Sequence, residues 1–332
     1  MWPANSISLC LQSETIVLHG TSESAPGQIL RGSATLDIQY QTKISSITVV
    51  FKGTAYASTS MLMLSVGSKQ SRDVFYQREI EFLRTIEVAK NFSPGQYIYH
   101  FEIPFSGDLP ESISSSLSHI KYVTTAVAKR GGFAKNLKDS KVVNVLRLSQ
   151  PVSEVEESQS LVRFGELESE LAFCIFSPSI VYSPDNDIPI QIGVDSFKTD
   201  VKVSEVQAAI YEVIKATSQD GRFKVRRSKI REASCRWNTK SYGKMWIQPI
   251  TLTANKKSTE VFSDRENDYV TVHHELNVII TLVKRSNIRK RIIVRTSLQF
   301  VDSEALRIAK ALPCYEQSLV APPCYFHLDK KH

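Results

Sequence analysis

Alternating hydrophobic and polar residues dominate the chain and predict β-strands. Ile47, Val49 and Phe51 share one face of a predicted strand, while Thr48 and Lys52 lie on the other. Successive side chains of a strand point to opposite faces, so this period of two is typical of a half-buried strand. The same alternation recurs at 97–103, 120–126, 272–282 and 292–300.

Turn residues divide the pattern into strands. Pro94-Gly95 predicts a turn before the strand at 97–103, and residues 284–291 connect the last two strands as a hairpin. The polar, serine-rich stretch at 54–77 indicates a long hairpin or loop. For residues 79–86, periodicity does not distinguish helix from strand.

The order of these elements indicates an all-β protein. Many short strands with turn signals and no intervening helices are typical of β-sandwiches rather than a parallel α/β sheet. Residues 149–160, rich in serine, glutamate and glutamine, predict an interdomain linker. We predict a first sandwich at 1–150, a linker at 151–165, a second sandwich at 166–302, and a short flexible C-terminal tail at 303–332 that begins with a short helix at 303–310.

Length and composition are consistent with a two-domain cytosolic protein. The chain has 332 residues, of which 42% are hydrophobic and 23% charged, as in ordinary globular proteins. It contains no apolar run of the roughly 20 residues needed to cross a bilayer. Its N-terminus lacks the pattern of a signal peptide. The five cysteines, an odd number at wide spacings, favour reduced thiols over a disulfide framework.

Charge is concentrated in two local clusters. The net charge of +7 is modest for this length and does not indicate nucleic-acid binding. Each cluster has the groups to contact phosphoserine, acidic peptide or anionic lipid, or else forms a solvated hairpin. The first cluster comprises Arg222, Lys224, Arg226, Arg227, Lys229 and Arg231, and the second Lys284, Arg285, Arg289, Lys290 and Arg291.

The usual catalytic and metal-binding motifs are absent from the sequence. There is no glycine-rich phosphate loop, His-Glu-x-x-His helix or Gly-x-Ser-x-Gly elbow, so we predict no enzyme activity, catalytic residue or cofactor. His273 and His274 are neighbours on a predicted strand and point to opposite faces, which disfavours a shared metal ion. His274 lies on the apolar face, so we expect a core or boundary residue, and we predict no metal site.

The C-terminal residues contain two related short motifs, Leu312-Pro313-Cys314-Tyr315 and Pro322-Pro323-Cys324-Tyr325. Proline fixes φ, so Pro322-Pro323 favours a polyproline II backbone before any partner binds. An aromatic-lined groove can bind the prolines and the tyrosine two residues later, while the cysteine points outward. The motifs resemble the PPxY ligand of WW domains and its LPxY variant.

Several blocks also resemble the arrestin fold, in the correct order. Residues 25–32 resemble the opening turn and strand of an arrestin N-domain, and residues 93–105 with Leu109-Pro110-Glu111-Ser112 resemble its most distinctive block. Residues 181–189 resemble the start of an arrestin C-domain, although the glycine common in that turn is missing. Residues 272–278 resemble a late strand of the C-domain. With the tyrosine-bearing tail, the chain resembles the α-arrestins, the arrestin-related trafficking adaptors best known from fungi.

The resemblance implies two arrestin-like, immunoglobulin-type sandwiches and an adaptor function. The domains would bind cytosolic segments of membrane transporters or receptors, and the tail would recruit a HECT-type ubiquitin ligase through its WW domains. The protein would then be cytoplasmic and recruited to the plasma membrane, endosomes or Golgi, with an anionic membrane surface as a further partner. The implied ligase-docking residues are Pro322, Pro323 and Tyr325, with Leu312, Pro313 and Tyr315 as the second site.

An alternative class is an arrestin-fold receptor or sorting scaffold that works without a ligase. It would bind phosphorylated or acidic cytosolic tails through the cluster at Arg222, Lys224, Arg226 and Arg227. Guanidinium and ammonium groups form charge-assisted hydrogen bonds with such anions. Affinity that survives removal of the C-terminal tail would distinguish this class from a ligase adaptor.

Overall fold

The protein folds as two tandem β-sandwiches. A computed structural model describes residues 4–57, 73–84, 89–131, 134–167, 171–198, 200–218, 220–236, 246–254 and 261–311. Among the described strands, no sheet mixes residues before 149 with residues after 160. The all-β class predicted from the alternation is therefore confirmed.

The first sandwich pairs a three-stranded sheet, in the order β1-β3-β7, with a larger sheet in the order β2-β10-β9-β4-β5. In the larger sheet β6 pairs with β4 and β8 with β9, and the β2–β10 pair is parallel. The strands are β1 (Ser6–Leu11), β2 (Thr15–His19), β3 (Gln28–Ile38), β4 (Thr42–Ala57), β5 (Asp73–Arg84), β6 (Lys90–Phe92), β7 (Gly95–Phe105), β8 (Ile113–Ser114), β9 (Ser118–Arg130) and β10 (Leu137–Leu148).

Aromatic packing fills the centre of the first core. Phe51, Phe105 and Tyr122 are at most 1% exposed, and their ring centroids lie 5.4 to 5.7 Å apart. Such pairs contribute about 0.5–1.5 kcal/mol each beyond their burial. The buried face predicted for the strand around Phe51 is confirmed. The ambiguous stretch at 79–86 belongs to strand β5 as far as Arg84, which pairs antiparallel with β4, and the connecting residues 58–72 lie outside the described part of the chain.

The second sandwich pairs a four-stranded sheet, in the order β11-β12-β14-β17, with a larger sheet in the order β13-β20-β19-β15-β16, where β18 pairs with β19. The strands are β11 (Leu161–Leu167), β12 (Leu171–Ser177), β13 (Val181–Tyr182), β14 (Ile188–Ser196), β15 (Val201–Thr217), β16 (Phe223–Arg236), β17 (Trp246–Leu252), β18 (Arg265–Glu266), β19 (Val270–Lys284) and β20 (Arg289–Phe300).

The long alternating strands form the second core. On β19 every second side chain from Val272 to Leu282 is buried, including His274. The predicted hairpin between β19 and β20 is confirmed, with a tight turn closed by the Lys284 amide donating to the Ile288 carbonyl at 3.0 Å. Asn287 in this turn has φ 61°, a left-handed conformation that asparagine tolerates better than most residues. The hairpin therefore has a defined apex at the end of β19.

Two short helices cover the junction between the sandwiches. They are α1 (Val152–Glu156) and α2 (Ser303–Lys310), and Asp302 caps α2 by accepting a hydrogen bond from the Ala305 amide at 2.9 Å. An apolar cluster beneath them joins both sandwiches. Its buried members are Val17, Leu146, Leu148, Val181, Val301 and Ala305.

The boundaries of the linker and tail differ from the sequence prediction. The helix at 303–310 is present, but it packs against β2, β10 and α1 instead of starting a free tail. The segment predicted as linker, 151–165, contains α1 and the first five residues of β11. The alternation of apolar and polar residues did not predict β11, because Arg163, Gly165 and Glu166 interrupt the apolar positions of this strand.

Candidate functional site

Both docking motifs of the C-terminal tail lie outside the described residues, which end at 311. This applies to Leu312, Pro313, Tyr315, Pro322, Pro323 and Tyr325. The structure does show where the tail begins. Helix α2, immediately before it, is fixed by an ion pair between Lys310 Nζ and Glu156 Oε1 at 2.8 Å and by a hydrogen bond from Ser303 to Asp185 at 2.7 Å. The tail therefore leaves the body of the protein beside α1, at the junction of the two sandwiches.

The first basic cluster lies along β16, an edge strand of the second sandwich. Arg222, just before the strand, pairs with Asp220 at 2.7 Å, and Lys229 pairs with Glu232. Lys224 is exposed, without an ion pair to any described residue. Most of the charge at this end of the cluster is therefore locally balanced.

Arg226 and Arg227 point to opposite faces of β16. Arg226 donates through Nη1 to Ser116 Oγ of the first sandwich at 2.7 Å, and its Nη2 lies 3.6 Å from the buried Glu212 carboxylate. Arg227 lies 3.6 Å above the Tyr211 ring and donates to Glu275 Oε2 at 3.0 Å. The structure thus separates the two arginines, and the four predicted anion-binding residues do not form one continuous surface.

Arg231, the last member of the cluster, is structural. Its side chain is buried and donates to the backbone carbonyls of Asn186 and Pro184, which lie in the turn between β13 and β14. Burial lowers the pKa of Arg231, although Asp187 and Asp185 oppose this effect. Its guanidinium group binds these carbonyls and is not exposed to solvent.

Buried and half-buried polar side chains also join the two sandwiches. The segment 261–269 of the second sandwich, which we call the interdomain segment, donates three side-chain hydrogen bonds to described residues of the first sandwich. Arg265 donates to the Ser112 carbonyl at 2.8 Å, Asn267 to Glu111 Oε2 at 3.2 Å, and the Tyr269 hydroxyl to Asp73 Oδ2 at 2.8 Å. Burial and the Asp73 carboxylate raise the pKa of Tyr269, which keeps its hydroxyl a neutral donor.

Glu111 also forms a buried ion pair within the first sandwich. Its Oε1 accepts from Arg147 Nε at 2.9 Å, and the two side chains are only 8% and 6% exposed. Arg147 donates further to three backbone carbonyls, those of Gly20, Gly107 and Leu109. This pair therefore fixes the loops that receive the interdomain segment.

A second buried cluster holds the base of the interdomain segment. His274 is fully buried, with Nδ1 2.5 Å from Asp264 Oδ1 and Nε2 3.7 Å from Glu212 Oε2. Glu212 accepts from the Phe262 amide at 2.9 Å, and Asp264 from the Phe300 amide at 3.0 Å. Burial opposes a charge on His274, but its hydrogen bond with Asp264 and the negative charges of Asp264 and Glu212 outweigh this effect and raise its pKa.

A cleft of about 480 Å³ opens between the sandwiches beside the interdomain segment. Its lining carries the cations Lys121 and Arg265 and the anions Asp185, Asp302 and Glu304. Because Arg265 is already bonded to Ser112 and Ser263, and acidic groups face it, the lining does not select for an anion.

The predicted place of His274 in the core is confirmed, but its two carboxylate partners were not predicted. A charged residue in an otherwise apolar strand is the signal that could have identified them. Glu212 interrupts Ala208 to Ile214 on β15, and Arg147 interrupts the apolar end of β10. Buried charges in such positions require partners, because an isolated one is costly.

Comparison with known proteins agrees with this architecture. Residues 20–150, most of the first sandwich, match the family described as Arrestin (or S-antigen), N-terminal domain. An arrestin domain-containing protein of Schizosaccharomyces pombe is 22% identical over 213 residues, 63% of this chain and 36% of that protein. Arrestin-related trafficking adapter 3 of Saccharomyces cerevisiae is 34% identical over 100 residues, 30% of this chain and 10% of that protein.

The tandem sandwiches and the matched N-terminal domain define an arrestin-fold protein. More specifically, the chain is similar to arrestin-related proteins of fungi, as the sequence blocks predicted. The matched regions span about a third and a tenth of the two relatives. Among the described residues, no helix is long and apolar enough to cross a membrane.

Proposed function

We propose that this arrestin-fold protein is a cytoplasmic trafficking adaptor that brings a HECT-type ubiquitin ligase to membrane-protein cargo such as nutrient transporters. The two sandwiches bind cytosolic segments of the cargo, and the ligase WW domains bind the tail. Cargo ubiquitylation then promotes endocytosis and sorting at the plasma membrane, endosomes or Golgi. The observation that carries the proposal is the similarity to an arrestin-related trafficking adaptor, combined with two tyrosine motifs in one tail. The protein itself performs no chemistry in this proposal.

The position of helix α2 supports a protein in which the sandwiches bind cargo and the tail binds the ligase. Because α2 is packed against the junction of the sandwiches, the chain that follows it starts from a fixed point on the protein surface. Two motifs separated by a short spacer raise the effective concentration of the second motif once the first is bound. Bivalent binding compensates for the low affinity of each short peptide.

The ligase-docking step is tested with the full chain and an array of HECT-ligase WW domains. Tyr315→Ala combined with Tyr325→Ala is expected to reduce binding at least about tenfold, since each tyrosine fills an aromatic pocket. Binding is measured by fluorescence anisotropy or calorimetry. The control is Cys314→Ser with Cys324→Ser, which changes the outward-pointing residue of each motif and should leave binding intact. Equal binding by all three chains would contradict ligase docking through these motifs.

The two motifs should also differ in strength. Tyr325→Ala is expected to weaken WW binding more than Tyr315→Ala, because Pro322-Pro323 provides a complete proline pair and Leu312-Pro313 does not. The two single variants are compared with the same WW domain under identical conditions. Indistinguishable losses would show that the proline pair does not set the ranking.

The alternative is a scaffold that binds phosphorylated or acidic cytosolic tails without a ligase. It requires free cationic groups on β16, but Arg226 and Arg227 already contact Ser116, Glu212 and Glu275. An incoming anion would have to displace these partners, so the geometry favours the adaptor. Binding of a phosphorylated peptide that persists after truncation at 311 would restore the alternative.

A further inference from the structure

The turn between β8 and β9 brings an exposed serine of the first sandwich against a cation of the second. Ser115 fixes this turn, since its amide donates to the Ser118 carbonyl at 2.8 Å and its hydroxyl accepts from the Ser118 amide at 2.9 Å. Ser116, the next residue, is exposed, and its Oγ accepts from Arg226 Nη1 at 2.7 Å. The Ser116 hydroxyl therefore has a defined place at the junction of the two sandwiches.

Arg226 has hydrogen-bonding capacity that its partners do not use. Its Nη2 lies 3.6 Å from the buried Glu212 carboxylate, and its Nε is buried without a hydrogen-bond partner among the described residues. A guanidinium group has five N–H donors, and a buried donor without a partner costs free energy. Across the junction, the partner of this cation is the neutral hydroxyl of Ser116, which offers a single acceptor atom. A larger, negatively charged acceptor at Ser116 would bind Arg226 more strongly.

A second cation lies on the same face of β16. Lys224 precedes Arg226 by two residues, so the two side chains leave the strand on one side, about 7 Å apart. Lys224 is exposed and forms no ion pair with any residue that the structure describes. Within ion-pair distance of these two cations, the described residues supply one carboxylate, that of Glu212. The local charge therefore favours a further anion beside Ser116.

We propose that Ser116 is a phosphorylation site whose phosphate is bound by Arg226 and Lys224. A phosphoserine carries about −1.5 to −2 charges at neutral pH and three strong acceptor oxygens, and guanidinium groups bind phosphate through charge-assisted hydrogen bonds. The phosphate is attached to the residue that Arg226 already contacts, whereas a free anion from solution would have to displace a partner. The basic residues of β16 that face the first sandwich thus have an anion within the same chain.

The modification is a phosphoryl transfer from ATP by a separate serine kinase. Ser116 Oγ attacks the γ-phosphorus, an Oγ–P bond forms, and the bond from that phosphorus to the β–γ bridging oxygen breaks to release ADP. A base of the kinase takes the hydroxyl proton. Hydrolysis by a phosphatase returns the serine and inorganic phosphate, so the modification is reversible.

Phosphorylation at this position strengthens the contact between the sandwiches. It converts a hydrogen bond between Arg226 and a neutral hydroxyl into an ion pair across the junction. Arg226 also approaches Glu212, which accepts from the Phe262 amide at 2.9 Å and so holds the base of the interdomain segment. The phosphate is therefore connected, through one arginine, to the buried cluster around His274.

Phosphorus NMR of the full chain, with phosphoserine genetically encoded at position 116, tests the binding of the phosphate. Nearby cations favour the dianion, so the second pKa of this phosphate should lie at least about half a unit below its ordinary value of about 6. Arg226→Gln should abolish most of this shift, and Lys224→Gln on the exposed part of β16 should reduce it. The matched control is Arg227→Gln, which removes the same charge from the opposite face of β16 and should leave the shift intact. An equal second pKa in all four chains would overturn the proposal.

The added ion pair is measured by thermal unfolding of the same chains, after circular dichroism has shown that each is folded. The chain with phosphoserine at position 116 should unfold at a higher temperature than the unmodified chain, and Arg226→Gln should remove this gain while Arg227→Gln preserves it. A lower unfolding temperature on phosphorylation would contradict the contact.

Mass spectrometry of protein isolated from its own cells, with and without phosphatase treatment, tests whether the modification occurs. We expect a phosphate on Ser116 that phosphatase removes, and complete peptide coverage of the turn without any phosphate at Ser116 would overturn the assignment. The site is separable from ligase docking, because Tyr315→Ala with Tyr325→Ala should leave the phosphate titration unchanged.

Discussion

Arg147→Met is expected to lower the free energy of unfolding by about 4 kcal/mol, because it leaves the buried Glu111 carboxylate without its cation. The Arg147 side chain is 6% exposed and its Nε lies 2.9 Å from Glu111 Oε1. The substitution also removes the donors to three backbone carbonyls, those of Gly20, Gly107 and Leu109. Urea denaturation monitored by circular dichroism measures the change.

An ion pair of nearly identical geometry provides the control. Arg31 Nε lies 2.8 Å from Glu102 Oε1 on the outer face of the first sandwich, but the side chains are 48% and 62% exposed. Arg31→Met should therefore cost only about 0.5 kcal/mol or less. Adding Glu111→Leu to Arg147→Met should recover about 1–2 kcal/mol, since the unpaired carboxylate is then gone. Similar losses for Arg147→Met and Arg31→Met would show that burial does not decide the strength of these pairs.

The strands that could be predicted are those with one apolar and one polar face. Val49 on β4 and Val278 on β19 lie within clean alternations, and both are fully buried as the period of two requires. Strand β11 was missed because Gly165 and the charged Arg163 and Glu166 obscure its pattern. In the structure Gly165 packs under the Phe173 ring, where a Cβ would lie 2.3 Å from a ring carbon. This packing constraint comes from the neighbouring strand β12, so the sequence around Gly165 does not reveal it.

The buried polar contacts could not be predicted for a related reason. Arg265 and Ser112 are 153 residues apart, and Asn267 and Glu111 are 156 apart. Each of these residues is of a polar type common on protein surfaces, and nothing in the sequence shows which of them contact one another. The Leu109-Pro110-Glu111-Ser112 block was recognised through its resemblance to arrestins, but its partner segment was not. Prediction from periodicity identifies which positions face a core and not which charges meet there.

The same distinction explains the basic clusters. From sequence, Arg226 and Arg227 are equivalent neighbours in a run of cations, whereas in the structure they occupy opposite faces of β16 with different carboxylates. The predicted anion-binding role for these residues stays a proposal. The second cluster, which the sequence leaves equivalent to the first, places Arg289 and Arg291 at exposed positions of β20.

His274 provides the second large prediction, a stability that falls as pH rises. The groups that face its ring are Asp264 and Glu212, and Arg226 approaches from beyond Glu212. The Phe300 ring packs against it in a tilted arrangement, with ring centroids 4.2 Å apart. Since the folded-state pKa is raised above the ordinary value of 6.5, His274 binds its proton more tightly in the folded protein. By linkage, this stabilisation is complete below pH 6.5 and is lost as pH rises through the folded-state pKa.

His274→Gln is therefore expected to cost about 3 kcal/mol near pH 6, where it removes a buried cation between two carboxylates, and progressively less at higher pH. Urea denaturation between about pH 6 and 9 measures the difference between wild type and variant, in which shared titrations cancel. His273→Gln is the control, because His273 is 47% exposed on the opposite face of β19, 3.8 Å from Glu275. It should change stability little and leave the pH slope intact. A His274→Gln penalty that stays constant with pH would mean that the histidine is neutral, and that Glu212 and Asp264 hold the interdomain segment through the Phe262 and Phe300 amides alone.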